Sequence, residues 1–266
     1  MRKTLPAALA CVAAAAVLGA AAGPAFAQYQ GLVSLPPVGP GDSRLLLGGG
    51  VVVGPAYPGS NDVVWSLRPY FDYQNKNGLF FGTVTGLGYS IVNTAETQFG
   101  VRLVPVFGRN EGNSDDLRGM GDVDPTIEAS VFWTRALSPA WTVGLNGRAG
   151  KYGAELDFGA RRDFQLQPAM RLSLVAFGTV GNGKSNQTFF GVDSAQSIAS
   201  GYPVYDPGAG LRSLNAGATF NYFFASRWIA LGGLGLNGLV GDVADSPIVR
   251  RRTTMTGFVA VGYQVF

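Results

Sequence analysis

The feature that most constrains this chain is a two-residue alternation of apolar and polar side chains, kept up over one long segment after another. The stretch 213–224, SLNAGATFNYFF, is the clearest. Leu214, Ala216, Ala218, Phe220, Tyr222 and Phe224 fall on one face, and Ser213, Asn215, Gly217, Thr219 and Asn221 on the other. Trp141, Val143, Leu145 and Ala149 oppose Thr142, Asn146 and Arg148. Ile127, Ala129, Val131 and Trp133 oppose Glu128, Ser130 and Thr134. Leu156, Phe158, Ala160, Phe164 and Leu166 oppose Glu155, Asp157, Arg161 and Asp163, and Leu67, Pro69, Phe71 and Tyr73 oppose Arg68, Asp72 and Gln74.

With 45–54, 79–90, 97–107, 170–180, 228–239 and 254–266, the strand candidates number eleven. Each runs for about ten residues, the length a tilted strand needs to cross a bilayer at ~9–11 residues. Strands of a soluble sandwich average only ~5–6. After residue 27 no stretch reaches the ~18 consecutive apolar residues of a membrane helix. Short turns at 75–78, 136–139 and 225–227 alternate with longer links at 108–123, 181–209 and 240–252. That alternation is the pattern of an outer-membrane barrel, with the long links outside. The fold expected is therefore all-β, a transmembrane antiparallel β-barrel. In hydrocarbon every backbone N–H and C=O must pair within the protein, and only a closed sheet does so without edges. Such barrels have even strand numbers. Eleven segments then mean ten strands, if 45–54 is not a full strand, or twelve, if a further piece near 31–41 pairs; twelve is favoured.

The apolar last strand, TMTGFVAVGYQVF, is read as the one that closes the barrel on the first. Val259, Val261, Tyr263 and Val265 share its lipid face and Thr256, Ala260 and Gln264 its inner face. Phe266 falls out of step, so either the end bends outward or a bulge lies near it. Arg162 falls on the lipid face of its segment, and belongs near an interface, because a midplane arginine costs ~2–4 kcal/mol.

Residues 1–27 read as a cleaved signal peptide: Arg2 and Lys3, an alanine-rich apolar run, then Ala25-Phe26-Ala27 before Gln28. Residues 28–44 form an N-terminal segment, in part irregular, and 45–266 the barrel. Cys11, the only cysteine, lies in the signal, so the mature chain has no thiol. It keeps 18 of 20 basic residues and all 17 acidic ones, 18 − 17 = +1, which gives no reason to expect nucleic acid as a partner.

Three stretches resemble the MipA/OmpV family of outer-membrane proteins, the murein-transglycosylase-interacting proteins. They are 108–124, GRNEGNSDDLRGMGDVD; 189–211, FFGVDSAQSIASGYPVYDPGAGL; and 241–249, GDVADSPIV. Residues 55–59, PAYPG, add a weaker match. Phe189 replaces a tyrosine usual in the family, and the end YQVF departs from its usual spacing. The resemblance implies an outer-membrane barrel, with some members proposed as scaffolds joining a lytic transglycosylase to a murein synthase.

The chain contains no histidine, which excludes Ser-His-Asp catalysis and H-E-x-x-H zinc sites. Glu155 and Asp157 could form a carboxylate pair, but they share inferred inner faces with Arg68, Asp72, Arg102, Glu128, Arg148, Arg161, Asp163 and Arg171. Mixed charges there are read as pairs that fill a narrow barrel. Asp115, Asp116, Asp122 and Asp124 lack an EF-hand or nonapeptide pattern and read as solvated loop. Gly48-Gly49-Gly50 lacks the lysine of a P-loop. Arg250-Arg251-Arg252 reads as a loop patch facing lipopolysaccharide phosphates or solvent. No catalytic, cofactor-binding or metal residue is assigned, and no enzyme activity is expected. The expected partners are outer-membrane lipids and lipopolysaccharide, with murein-synthesising or murein-hydrolysing enzymes through the family. The expected function is a structural or scaffolding role in envelope and murein maintenance; a small-solute channel or a surface-recognition barrel are the alternatives.

Overall fold

A computed structural model describes residues 42–266. The expected signal peptide and most of the 28–44 segment lie outside the described residues. Twelve antiparallel strands close into one barrel in the order β1-β12-β11-β10-β9-β8-β7-β6-β5-β4-β3-β2. They are β1 Arg44–Pro55, β2 Val63–Gln74, β3 Leu79–Gly82, β4 Gly86–Asn93, β5 Thr97–Val106, β6 Thr126–Ala136, β7 Trp141–Gly150, β8 Gly153–Gln167, β9 Met170–Gly181, β10 Gly210–Phe224, β11 Trp228–Leu239 and β12 Thr253–Gln264.

The expected number, twelve, is the one found among the described residues, and the additional strand comes from within 79–90; the segment 31–41 lies outside the described residues. The segment read as one strand, 79–90, is a hairpin, β3 and β4, turned at 83–85. The segment 45–54 is a full strand, and the barrel begins at Arg44. The link 182–209, where no helix is expected, holds two short ones, α1 Gly183–Phe190 and α2 Ser194–Ser200. Asn182 caps α1 through its side chain, and Asp193 with Gln196 forms a capping box on α2.

β12 closes the ring against β1 in unbroken register, from Leu46↔Gln264 to Val53↔Gly257. Gly48 lets the two strands come close, since a Cβ there would collide with the Val261 carbonyl. At the step, Val265 N–H donates to the Leu45 carbonyl at 2.8 Å while Leu45 N–H donates to the Phe266 carbonyl, so two residues oppose one, the pattern of a bulge. The strand ends at Gln264, and Phe266 lies beyond it, 54% exposed, its carbonyl still accepting from Leu45 N–H at 3.2 Å.

The faces follow the alternation. Val259, Val261, Leu234 and Leu214 are exposed on the outside, and Thr256, Asn237 and Asn215 are buried inside. At the end carrying the short turns, Tyr222, Phe224, Trp228 and Tyr263 form a run of ring contacts with centroids 5.7, 6.4 and 5.1 Å apart. This is an interfacial aromatic belt. Arg162 sits in it as expected, over Trp141 at 5.3 Å and over Phe164 at 4.6 Å.

The inside is less uniformly polar than the alternation implies. Leu46, Ile229 and Leu231 are buried within the barrel with Tyr70, Phe258 and Ala260 against them. Together they lie on β11, β12, β1 and β2, so on that side apolar filling is mixed with polar groups such as Asp72, Asn237 and Thr256.

Candidate functional site: a capped lumen

The lumen is sealed at one end. Four links, 56–62, 107–125, 182–209 and 240–252, meet over it and share a core of their own. Ala56, Tyr57, Leu117, Met120, Val192 and Ile248 are each 2% exposed or less and come from all four. Phe190, Val243 and Ala244 pack beside them against Leu239. Burying each large side chain of this kind is worth ~1.5–3 kcal/mol.

Hydrogen bonds tie the links to one another. Tyr57 donates to the Ile248 carbonyl at 2.8 Å, Gln196 to Met120 at 2.7 Å, Tyr205 to Asp242 at 2.6 Å and Ser246 to Phe190 at 2.5 Å. Ser114 donates to the Asp62 carboxylate, and buried Arg109 to the Phe189 carbonyl at 3.0 Å. Burial pushes the Tyr57 phenol well above its usual value, with nearby Asp116 adding to the shift. Burial also lowers Arg109 to about 10, still charged at neutral pH.

Asp115, Asp122 and Asp124 are exposed, as read, and only Asp116 is partly covered by the lid. Asp116 pairs with Arg250 at 2.8 Å, Asp115 with Arg118 at 2.7 Å and Asp124 with Lys151 at 3.1 Å, while Asp122 accepts from Glu111 N–H at 2.8 Å. The basic run is exposed, as read, and is also tied to the lid. Arg250 also donates to the Tyr202 hydroxyl, Arg252 pairs with Asp245, and the backbone N–H groups of Arg250 and Arg251 both bond Gly59.

Under the lid lies a charged layer. All ten residues expected to face inward do so by the strand registers. Glu155 joins Arg148 and, at 2.5 Å, Arg212; Glu128 lies 4.0 Å from Arg148. Ser185 of α1 donates to Glu155 at 2.6 Å and accepts from Arg212 at 3.2 Å, so the helix is bolted to the wall. Asp157 accepts from Thr179 and Asn146 at 2.8 and 3.1 Å. Lower down, Arg161 pairs with Asp163 at 3.1 Å and Arg44 with Asp72 at 2.7 Å. Arg212 and Ser185 are the members sequence reasoning missed. A bulge between Leu211 and Ser213 turns Arg212 inward, and nothing in the sequence marks it.

Below the layer a cavity of about 350 Å³ runs to the short-turn end, where Asn75, Gly78 and Asn93 line it; its upper limit is Arg148 and Arg212. Glu155 and Asp157, the one carboxylate pair considered for chemistry, are each held by arginine or hydroxyl partners.

The profile described as "MltA-interacting protein MipA" matches residues 47–265. No curated protein matches the chain. Among solved structures, the NanC porin is 6% identical over 83% of this chain and 98% of its own, with a TM-score of 0.43. An outer membrane channel from Pseudomonas putida F1 is 15% identical over 86% and 97%, with a TM-score of 0.45. The translocator domain of the autotransporter NalP from Neisseria meningitidis is 12% identical over 96% and 97%, at 0.39. At such scores these matches add nothing to what the strand pairing shows.

Proposed function

The chain belongs to the MltA-interacting protein MipA family, and from that premise we propose that it is a scaffold of the outer membrane that holds a murein-cleaving transglycosylase near the peptidoglycan. The observation that carries the reading is the one-sided seal. A barrel packed shut at its long-loop end has no through-passage to offer, which leaves the short-turn end as its working face. In this class of barrel that end faces the periplasm, where murein lies. Five turns form the rim there, at 75–78, 94–96, 137–140, 168–169 and 225–227. Leu137 stands out from it, 64% exposed. Export of the chain by cleavage after Ala27 belongs to the same proposal.

The test uses the full chain in its native envelope, with a photo-cross-linking residue placed at Lys76, Glu96 or Leu137 on the rim, or at Ile198 or Arg251 on the lid. Cross-links to a murein-cleaving transglycosylase are expected from rim positions alone. Their absence there, or equal yields from the lid, would overturn the scaffold reading.

A further inference from the structure

The barrel wall is not hydrogen-bonded all the way up. β3 has four residues and β4 eight, where the other strands have ten to fifteen. The turn at 83–85 stops beside Phe71, whose carbonyl accepts from Thr83 N–H at 3.1 Å, and β4 pairs β5 no higher than Leu103. Above that turn, residues 63–70 of β2 and 104–106 of β5 have no strand between them, and no ladder joins the two.

Backbone alternation identifies the groups that face this seam. Asn75 and Phe71 bond toward β3, so Pro69, Leu67, Trp65 and Val63 turn the same way. Among the described residues, Leu67, Trp65 and Val63 meet no hydrogen-bond partner on that flank. On β5, Glu96 accepts from Ala136 of β6 while Thr97 accepts from Thr94 on the other side, which turns Leu103 and Pro105 toward the seam. Each lip therefore carries a proline where an N–H would otherwise face the seam. Proline supplies no donor, so at these two positions no N–H is left unmet, and the lips are kept from zipping into a ladder. Trp65 and Leu67 are 69% and 71% exposed, more than Val101 or Leu103 on the paired wall.

The lumen behind the seam has two characters. Tyr70, Val84, Phe80 and Phe132 line the cavity, with Phe80 and Phe132 edge to face at 5.7 Å. Thr85 Oγ1, in the turn, is buried without a partner. Beside this apolar wall is Arg102, 5.5 Å over the Phe132 ring. Its guanidinium donates to Asn146 at 2.7 Å and Ser130 at 3.3 Å, both neutral, and none of the ion pairs among the described residues includes it.

We propose that the lumen is a binding site for a single-chain anionic amphiphile, a carboxylate or phosphate head on one hydrocarbon tail, which passes from the membrane through the seam between β2 and β5. The tail lies along Tyr70, Val84, Phe80 and Phe132, and the head pairs with Arg102. No strand ladder joins the lips, so parting them breaks no ladder. A cavity of about 350 Å³ stands at the low end of the ~300–1,000 Å³ usual for small-molecule sites, which is room for one tail. The site does not depend on the scaffold reading.

The full chain is reconstituted in phosphatidylcholine vesicles that contain palmitic acid with a diazirine in its tail, irradiated, and mapped by peptide mass spectrometry. Adducts are expected on Phe80, Val84 or Phe132, and about tenfold fewer with Arg102→Gln, the loss of one charge-assisted bond. The matching fatty alcohol should label the wild-type lumen equally poorly, which carries the test if Arg102→Gln does not fold on a heat-modifiability gel. Adducts confined to outward side chains such as Leu234 and Val259 would overturn the site. Luminal labelling by the alcohol as strong as by the acid would overturn the anionic head. Luminal labelling by a water-soluble diazirine octanoate but never by the membrane-held palmitate would overturn the lateral route.

Discussion

Glu155 is the residue on which the inside of the barrel turns. It satisfies Arg148, Arg212 and the Ser185 hydroxyl at once, and all three charged side chains are 10% exposed or less. Glu155→Gln would leave two buried cations sharing Glu128, and breaking a buried pair costs roughly 3–5 kcal/mol. A clear fall in the temperature at which the folded band is lost on a heat-modifiability gel is expected. Asp115→Asn, which breaks a pair exposed on both sides, should leave that temperature unchanged. A neutral Glu155→Gln would mean the layer is hydrated and the wall carries the stability alone. Which charges face inward is legible in the sequence, because the period is two and one anchor fixes the rest. Their partners are not legible. Arg212 enters the layer through a bulge, and Ser185 arrives from a helix thirty residues of chain away from Glu155.

At the scale of elements, strands were legible where alternation was long and a polar turn broke it. The β3–β4 hairpin escaped because its turn is Thr83-Val84-Thr85, two β-branched threonines around a valine, residues that favour strands. The seam above it escaped for the same reason. β12 shows the opposite case, since its faces follow the alternation throughout. Val261→Arg would put a charge on the lipid face and cost ~2–4 kcal/mol at midplane depth, less nearer an interface. Gln264→Arg, on the inner face near the open end, should fold as wild type does. Folded fraction after refolding into lipid, read by gel mobility, decides it. A folded Val261→Arg beside an unfolded Gln264→Arg would mean the strand sits in the membrane with its faces reversed.

For the molecule as a whole, the lid decides what the barrel is able to do. It was the least legible part of the sequence. Tyr57, Leu117, Met120, Val192 and Ile248 are scattered singly among glycines, aspartates and serines, with no period to reveal that they meet. Read one link at a time, they look like solvated loops. Only closure of the ring brings the four links over one opening, where their apolar residues find each other. Twelve strands leave a narrow bore, since wide aqueous channels appear at ~16–18. Apolar filling by Leu46, Ile229 and Leu231 narrows it further, and α1 lies across what remains, held by Glu155. The wild-type protein in planar bilayers is therefore expected to pass little or no steady current. Replacing 184–207 by a short Gly-Ser bridge removes α1, α2 and the Ser185 bolt while leaving every strand intact. That variant, once shown to be folded by gel mobility, should open a small steady conductance, because the layer beneath is closed by side chains alone and not by backbone. A porin-like open state in the wild type would mean the lid lifts at rest. A folded variant as tight as wild type would place the seal lower, among the luminal side chains, and leave the lid a surface structure only.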